Sequence, residues 1–374
     1  MLKILHLIQG CGGGVASLIG NLVRSADKTA VQQDVMSFTF DNGDVFVEEL
    51  KRHGSKTFLL PRPRKEGMKA FRDYAVKIMR EEKYDVVHCH SDGWRTILYR
   101  DLARRAGVPL FCVHAHRASN DPGFLKQNKW LIKLDRWISR KNADVKFACG
   151  TDAAKFIYGD VEDYVTIPNG INLRRCEEAA KVDTNALRAG LGIAREQTVI
   201  LQVGRLVTQK NHGFTVELAR ELKARGTACT ILIAGTGGLE ASIRELLAQH
   251  GLTDRVILLG RRNDIYELMA MADVMILPSL YEGLPTVAVE AQAMGLRSLI
   301  ADTITRECDM DLGLTRFLPI DGGAACWADA IEGLEPVERP RRQTIAHVLS
   351  EKAYTDSGAV QRYISVLNRK IAEK

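Results

Sequence analysis

Glu282 and Glu290, with seven residues between them, stand on either side of a Gly283-Leu284-Pro285 turn. The apolar run 274–277 before them reads as a strand, and a helix is expected to begin near Thr286. Glu282 therefore falls on the loop and Glu290 one turn into the helix. From there two carboxylates reach two parts of one elongated ligand. Each accepts hydrogen bonds from sugar hydroxyls, while the free N–H groups of the helix start face an anion between them. Either acid alone would suit an exposed loop or a helix ion pair. Arg205 and Lys210, five positions apart in Gly204-Arg205-Leu206-Val207-Thr208-Gln209-Lys210-Asn211, follow another apolar strand and are placed to clamp a diphosphate. One such charge pair at 4 Å is worth about 4 kcal/mol at an effective dielectric of ~20. Taken by itself, that octet also passes for a solvated loop with unrelated charges.

A glycine cluster, Gly10-Cys11-Gly12-Gly13-Gly14, lies where the first apolar run turns into a helical pattern. Its exposed N–H groups suit a phosphate, although a tight strand-to-helix turn demands glycine for steric reasons too. The dinucleotide fingerprint G-x-G-x-x-G fails at its third glycine, where Val15 stands, which argues against NAD. Histidines gather at two strand ends, His88-Cys89-His90 and His114-Ala115-His116, and side chains at i and i+2 share a face. A zinc site is imaginable from them, but no C-x2-C or H-E-x-x-H spacing supports one and no metal is assigned. Acceptor contact by His90 or Asp92, and plain packing, are the simpler readings.

The elements that must position these residues alternate between short apolar runs and helical patterns along the whole chain, the mark of an α/β protein with helix-covered parallel sheets. Strands are expected at 3–8, 33–38, 57–60, 86–89, 110–113, 145–148 and 164–167, then at 199–203, 229–234, 256–259, 274–277 and 298–301. Each half opens with a strand, a Gly-bearing turn and a helix, so two doubly wound Rossmann-like domains are expected. The boundary is placed at Ile167-Pro168-Asn169-Gly170-Ile171, where a strand stops at proline. This gives an N-terminal domain over 1–167, a second over 168–349 and a C-terminal helix over 350–374 packing back toward the first. Ligands of open parallel sheets sit at the carboxyl ends of the strands at the switch point, so chemistry is expected in a cleft between the domains.

The 374 residues are 46% apolar and 26% charged, with no run of 18 apolar residues and no secretory leader, so neither membrane spanning nor export is expected. Eight scattered cysteines without framework spacing suit a reducing, cytoplasmic setting. The net charge of +6 is too small to imply nucleic acid, but it is unevenly spread: +7 over residues 1–170 and −1 over the rest. Residues 117–141 alone are net +5, with Trp130, Leu131, Leu134, Trp137 and Ile138 at helical spacing. Packing of that apolar stripe on its own domain is the first expectation; peripheral attraction to an anionic membrane is the sharper one.

Taken in order, the early glycine loop, Pro168-Asn169-Gly170-Ile171, the Gly204-Arg205 and Lys210-Asn211 pair and Glu282-x7-Glu290 resemble the large retaining glycosyltransferase family 4, also called group 1. The resemblance covers nearly all of the chain. It implies the GT-B fold, two Rossmann-like domains facing across a cleft. It also implies transfer of a sugar from a nucleotide sugar to an acceptor with retained anomeric configuration, without metal or other cofactor. Carried over residue by residue, Arg205 and Lys210 would neutralise the diphosphate and Glu290 would bind the ribose hydroxyls. Glu282 would hold the donor sugar with the backbone of Gly283 and Leu284, and Gly13 and Gly14 would approach the diphosphate. The stretch 259–264, with Arg261, would frame the nucleobase, and His116, with His114 in reserve, would touch the donor sugar. UDP is favoured over GDP on family frequency. The expected setting is assembly of bacterial capsule, exopolysaccharide or O-antigen on a lipid-linked or saccharide acceptor at the inner membrane face. A nucleotide-sugar epimerase of the same fold, or a binding module without turnover, is the alternative.

Overall fold

A computed structural model describes residues 1–10, 13–40, 44–116, 129–335 and 339–374. The chain divides into two compact units, Met1–Gly170 with Ala353–Lys374, and Ile171–Lys352.

In the first unit seven strands form one parallel sheet: β1 (Leu2–Ile8), β2 (Val31–Ser37), β3 (Thr57–Leu59), β4 (Val86–Cys89), β5 (Leu110–Ala115), β6 (Val145–Ala148) and β7 (Tyr164–Thr166). Their order, β3-β2-β1-β4-β5-β6-β7, reverses between β1 and β4. β1, β4 and β5 are largely apolar, as strands of a buried parallel sheet must be, whereas β2 carries Gln32, Gln33 and Asp34 within it. The second unit has six: β8 (Thr198–Val203), β9 (Cys229–Ala234), β10 (Val256–Gly260), β11 (Val274–Leu277), β12 (Arg297–Ala301) and β13 (Thr315–Leu318), in the order β10-β9-β8-β11-β12-β13, again parallel. The reversal here lies between β8 and β11.

Three details differ from the sequence expectation. β13 is an extra edge strand paired with β12 from Ser298↔Thr315 to Ala301↔Leu318; a Thr-Arg-Phe-Leu segment half open to solvent carries no buried apolar run. Crossing between units comes after Gly170 rather than after Ile167, because Asn21 Nδ2 donates to Gly170 O at 2.6 Å and holds the turn to the first unit. A Cβ on Gly170 would lie 2.6 Å from Asp356 Cα, so only glycine fits where the returning chain crosses it. The single helix expected over 350–374 is broken: one helix ends at Glu351, Ala353 adopts φ 59°, and Thr355 caps a new helix, Asp356–Ala372, by accepting from Gly358 N. That last helix buries Ala359, Val360, Tyr363 and Leu367 against Ile4, Leu18, Leu22 and Phe147, so it is part of the first unit's core.

Candidate active site

The second unit's cluster sits at its switch point, where the turns after β8 and β11 diverge. Val203 ends β8 and Gly204-Arg205 turn out of the sheet; a short 3-10 turn, Thr208–Lys210, brings the chain back. A Cβ on Gly204 would stand 2.9 Å from Lys210 Cε, so the glycine is what lets the lysine stem pass over the strand end. Buried Gln202 donates to Lys210 O at 3.0 Å and fixes the backbone from below. Lys210 Nζ then meets Glu282 Oε1 at 2.5 Å, while Gln209 Nε2 donates to Glu282 Oε2 at 3.1 Å and to Tyr281 O at 2.9 Å. Leu280 N donates to Gln209 O, so the two turns are laced together. Arg205 stands exposed beside this closed pair.

The second acid follows from the helix Thr286–Ala293, whose face of Ala288, Val289, Ala291 and Gln292 is buried. Pro285 gives this helix no side-chain cap, and its first turn closes by Ala288 N donating to Pro285 O at 3.0 Å. Glu290, one turn in, is 3.3 Å from Tyr266 OH, and burial raises its carboxyl above the ordinary range, opposed by Tyr266 and Arg175. Arg175 lies over the Tyr266 ring at 5.2 Å and donates to Asn263 O. Glu290 therefore belongs to a Tyr266–Arg175 group apart from the Lys210–Glu282 pair. Gly283 and Leu284 are half-buried in the β11 turn, and Arg261 is exposed past the end of β10.

Sequence reasoning missed Gln209, Tyr266, Arg175 and a second glycine turn, Gly235-Thr236-Gly237-Gly238 after β9. A Cβ on Gly235 would fall 1.9 Å from Gly204 O, and one on Gly237 would fall 2.4 Å from Leu206 O, so the β8 and β9 turns pack backbone on backbone. A strand followed by three glycines in four residues was the available signal; the other three residues had none in their spacing.

In the first unit Gly13 opens the helix Gly13–Ser25 directly after β1, and Gly14 leaves its backbone exposed in the first turn. Cys11 and Gly12 lie outside the described residues, as do Arg117 and Lys126 of the basic stretch. At the carboxyl ends of β1, β4 and β5 five histidines form a layer. His6 Nδ1 is 3.0 Å from His90 Nε2, and His90 Nδ1 is 2.8 Å from His116 Nε2. A parallel row joins Tyr363 OH to His88 Nδ1 at 2.7 Å and His88 Nε2 to His114 Nδ1 at 3.2 Å. His114 is 2% exposed, whereas His116, just past β5, is partly open. Burial holds His6 down to about 4 and His116 to about 3, and His88, His90 and His114 well below the usual histidine value, so the layer is neutral. Two triads, His6/His88/His90 and His90/His114/His116, bring ligand-type nitrogens within 4.8 Å. A metal would need three lone pairs aimed at one point, but each ring–ring contact already commits one lone pair and one N–H. Asp92 is half-buried in a small pocket shared with Asp135, Arg136 and Ser139.

The apolar stripe of residues 117–141 does not pack as first expected. In the helix Lys129–Asn142 Ile138 and Ser139 are buried, but Trp130, Leu131 and Trp137 are 64%, 46% and 51% exposed. The neighbouring helix Trp94–Ala106 adds Trp94 and Ile97, also open; Gly93 N donates to Ser139 Oγ at 2.9 Å and binds the two helices side by side. No helix among the described residues is long and apolar enough to cross a membrane.

Comparison with known proteins agrees with this layout. Residues 12–175 match the family described as Glycosyltransferase Family 4, and residues 183–309 the family described as Glycosyl transferases group 1. Over 372 residues the chain is 34% identical to EpsF of Bacillus subtilis (strain 168), a provisionally named glycosyltransferase, covering 98% of this chain and 96% of that one. It is 31% identical over 245 residues to the UDP-Gal:alpha-D-GlcNAc-diphosphoundecaprenol alpha-1,3-galactosyltransferase of Escherichia coli, covering 62% and 61% of the two chains. Among solved structures, Anabaena HepE in complex with UDP-glucose matches with a TM-score of 0.70 at 18% identity, covering 100% of this chain and 99% of that one.

Proposed function

The chain belongs to the glycosyltransferases of group 1 and has the GT-B fold, and from that premise we propose that it moves a sugar from a UDP-sugar to a lipid-linked or saccharide acceptor with retention of configuration and without a metal. The observation that carries this reading is the switch-point cluster of the second unit: Lys210 locked on Glu282, Arg205 exposed beside them, and Glu290 on the next helix. The UDP-glucose held by the HepE relative and the diphosphoundecaprenol acceptor of the E. coli relative support the donor and acceptor classes.

In this reading the bond between the anomeric carbon and the β-phosphate oxygen breaks, and its electron pair leaves with UDP. The acceptor oxygen forms the new bond on the same face of the sugar, and its proton passes to a phosphate oxygen of the leaving group. Charge grows on the diphosphate as the sugar becomes oxocarbenium-like, so Arg205 and Lys210 act chiefly in the transition state. Glu282 holds the donor sugar with Gly283 and Leu284, Glu290 the ribose, and Arg261 borders the nucleobase. Gly13, Gly14 and His116 are assigned to the donor from the first unit, and His90 and Asp92 to the acceptor. Assembly of a bacterial surface polysaccharide in the cytoplasm is the setting, with docking on the anionic inner membrane face through the exposed Trp94, Ile97, Trp130, Leu131 and Trp137 and the neighbouring Lys133 and Lys141.

The decisive experiment offers UDP- and GDP-sugars with a polyprenyl-diphosphate sugar acceptor and follows product formation and anomeric configuration. Acceptor-dependent transfer from a UDP-sugar, lowered about 10²–10³-fold by Arg205→Ala, supports the assignment. Conversion of the nucleotide sugar without acceptor would replace transfer by epimerisation, and an inverted product would remove retention.

A further inference from the structure

Gln33, buried on β2, anchors a hydrogen-bond chain that has a direction. Its Nε2 donates to Leu22 O at 2.8 Å, and its Oε1 lies 3.0 Å from His6 Nε2. The flipped amide would set two oxygens face to face at 2.8 Å, so the carbonyl end belongs toward His6. An amide oxygen only accepts, and His6 Nε2 must therefore carry the proton, leaving Nδ1 bare. That bare nitrogen faces His90 Nε2 at 3.0 Å, which must donate; His90 Nδ1 is then bare and faces His116 Nε2 at 2.8 Å, which must donate in turn. Every link has one donor and one acceptor as long as all three rings are neutral. Burial enforces that neutrality, holding His6 down to about 4 and His116 to about 3. The row through His88 and His114 has no amide at its head, only the Tyr363 hydroxyl, which donates or accepts equally well.

We infer that Gln33, His6 and His90 are positioning residues that hold His116 in the neutral Nε2–H form, so that it offers the donor sugar a hydrogen-bond acceptor, Nδ1, in place of a donor. The inference rests on the proposed role of His116 at the donor sugar. It assigns a selectivity: a sugar hydroxyl that donates toward Nδ1 is recognised, and a sugar in which that hydroxyl is replaced by hydrogen or an ether is refused. The setting residue, Gln33, sits three side chains away from the ligand.

Nitrogen-15 histidine spectra of the intact protein at neutral pH test this without any variant, His116 being assigned from its absence in His116→Asn. The expected result is His116 protonated at Nε2 and bare at Nδ1; protonation chiefly at Nδ1 would overturn the inference. Gln33→Leu removes the head of the chain and is expected to convert His116 to a mixture of tautomers, while Gln33→Glu, kept protonated by burial, donates its O–H to Leu22 O, accepts from His6 with its other oxygen and retains Nε2–H. A folded Gln33→Leu with an unchanged His116 spectrum would also overturn it. In the same variants, kcat/KM for the cognate donor is expected to fall about tenfold in Gln33→Leu, the worth of one misdirected hydrogen bond, and to recover in Gln33→Glu, with UDP affinity constant throughout. Full transfer by His116→Ala would instead remove His116 from the donor site while leaving the tautomer result standing, so the two failures are distinct.

Discussion

Lys210 Nζ and Glu282 Oε1 are 2.5 Å apart with side chains only 14% and 10% exposed, so the acid and the cation singled out by their spacing partner each other in the free protein. A closed pair of this kind is costly to break from one side, because the survivor is left buried and unpaired. Lys210→Met is expected to lower stability by about 3–5 kcal/mol and to abolish transfer. The double variant Lys210→Met/Glu282→Gln is expected to recover most of the stability and none of the transfer. Urea unfolding beside an activity assay checks both; recovery of transfer in the double variant would deny the pair a part in the chemistry.

The histidine layer links stability to pH. His6 is held down to about 4 and His116 to about 3, with His88, His90 and His114 well below their usual value, burial being the main cause in each. Unfolded histidines take up protons near pH 6.5 and the native layer does not, so the stability they contribute is fully present above 6.5 and is lost as pH falls toward 4. Each contributes a slope of up to about 1.4 kcal/mol per pH unit in that window. Urea midpoints are expected to drop steeply from pH 6.5 to 5, less so in His6→Gln; equal slopes for the two proteins would contradict the burial argument.

Asp356 has the opposite sign. At the start of the last helix it is pushed up to about 6, chiefly by burial, with Arg24 Nη1 3.5 Å away pulling it down. Native protein therefore keeps a proton that the unfolded chain loses near 3.8, and the associated stability is present below 3.8 and lost as pH rises through 6. Asp356→Asn is expected to gain stability at pH 8, by up to about 3 kcal/mol, and to change little at pH 3. A loss at pH 8 would show the Arg24 contact outweighing desolvation.

The two open helices of the first unit carry a membrane test. Trp130→Ala/Trp137→Ala and Lys133→Glu/Lys141→Glu are each expected to reduce binding to vesicles containing anionic lipid, and salt to reduce wild-type binding. Wild-type binding indifferent to both salt and charge reversal would sink the docking surface. Stability should stay close to wild type, since these side chains are exposed to solvent.

Much of this protein follows from local rules. Twelve of thirteen strands were legible because a strand buried on both faces must be a continuous apolar run, and the glycines, cations and acids mark the strand ends where an α/β sheet binds ligands. Tertiary structure alone decided the rest. β13 is a strand only because β12 offers it a ladder, and the close passage of Asp356 over Gly170, just after the helix break at Ala353, joins residues far apart in the chain. Tyr266 and Arg175, far apart in sequence, meet at Glu290, and the open Trp130 and Trp137 look like any buried stripe when read as spacing. Periodicity reports which face of an element is apolar, but what that face meets depends on elements distant in the chain. So too the proton order from Gln33 to His116 depends on four side chains, on β1 and β2 and just past the ends of β4 and β5, brought together by the sheet's own register.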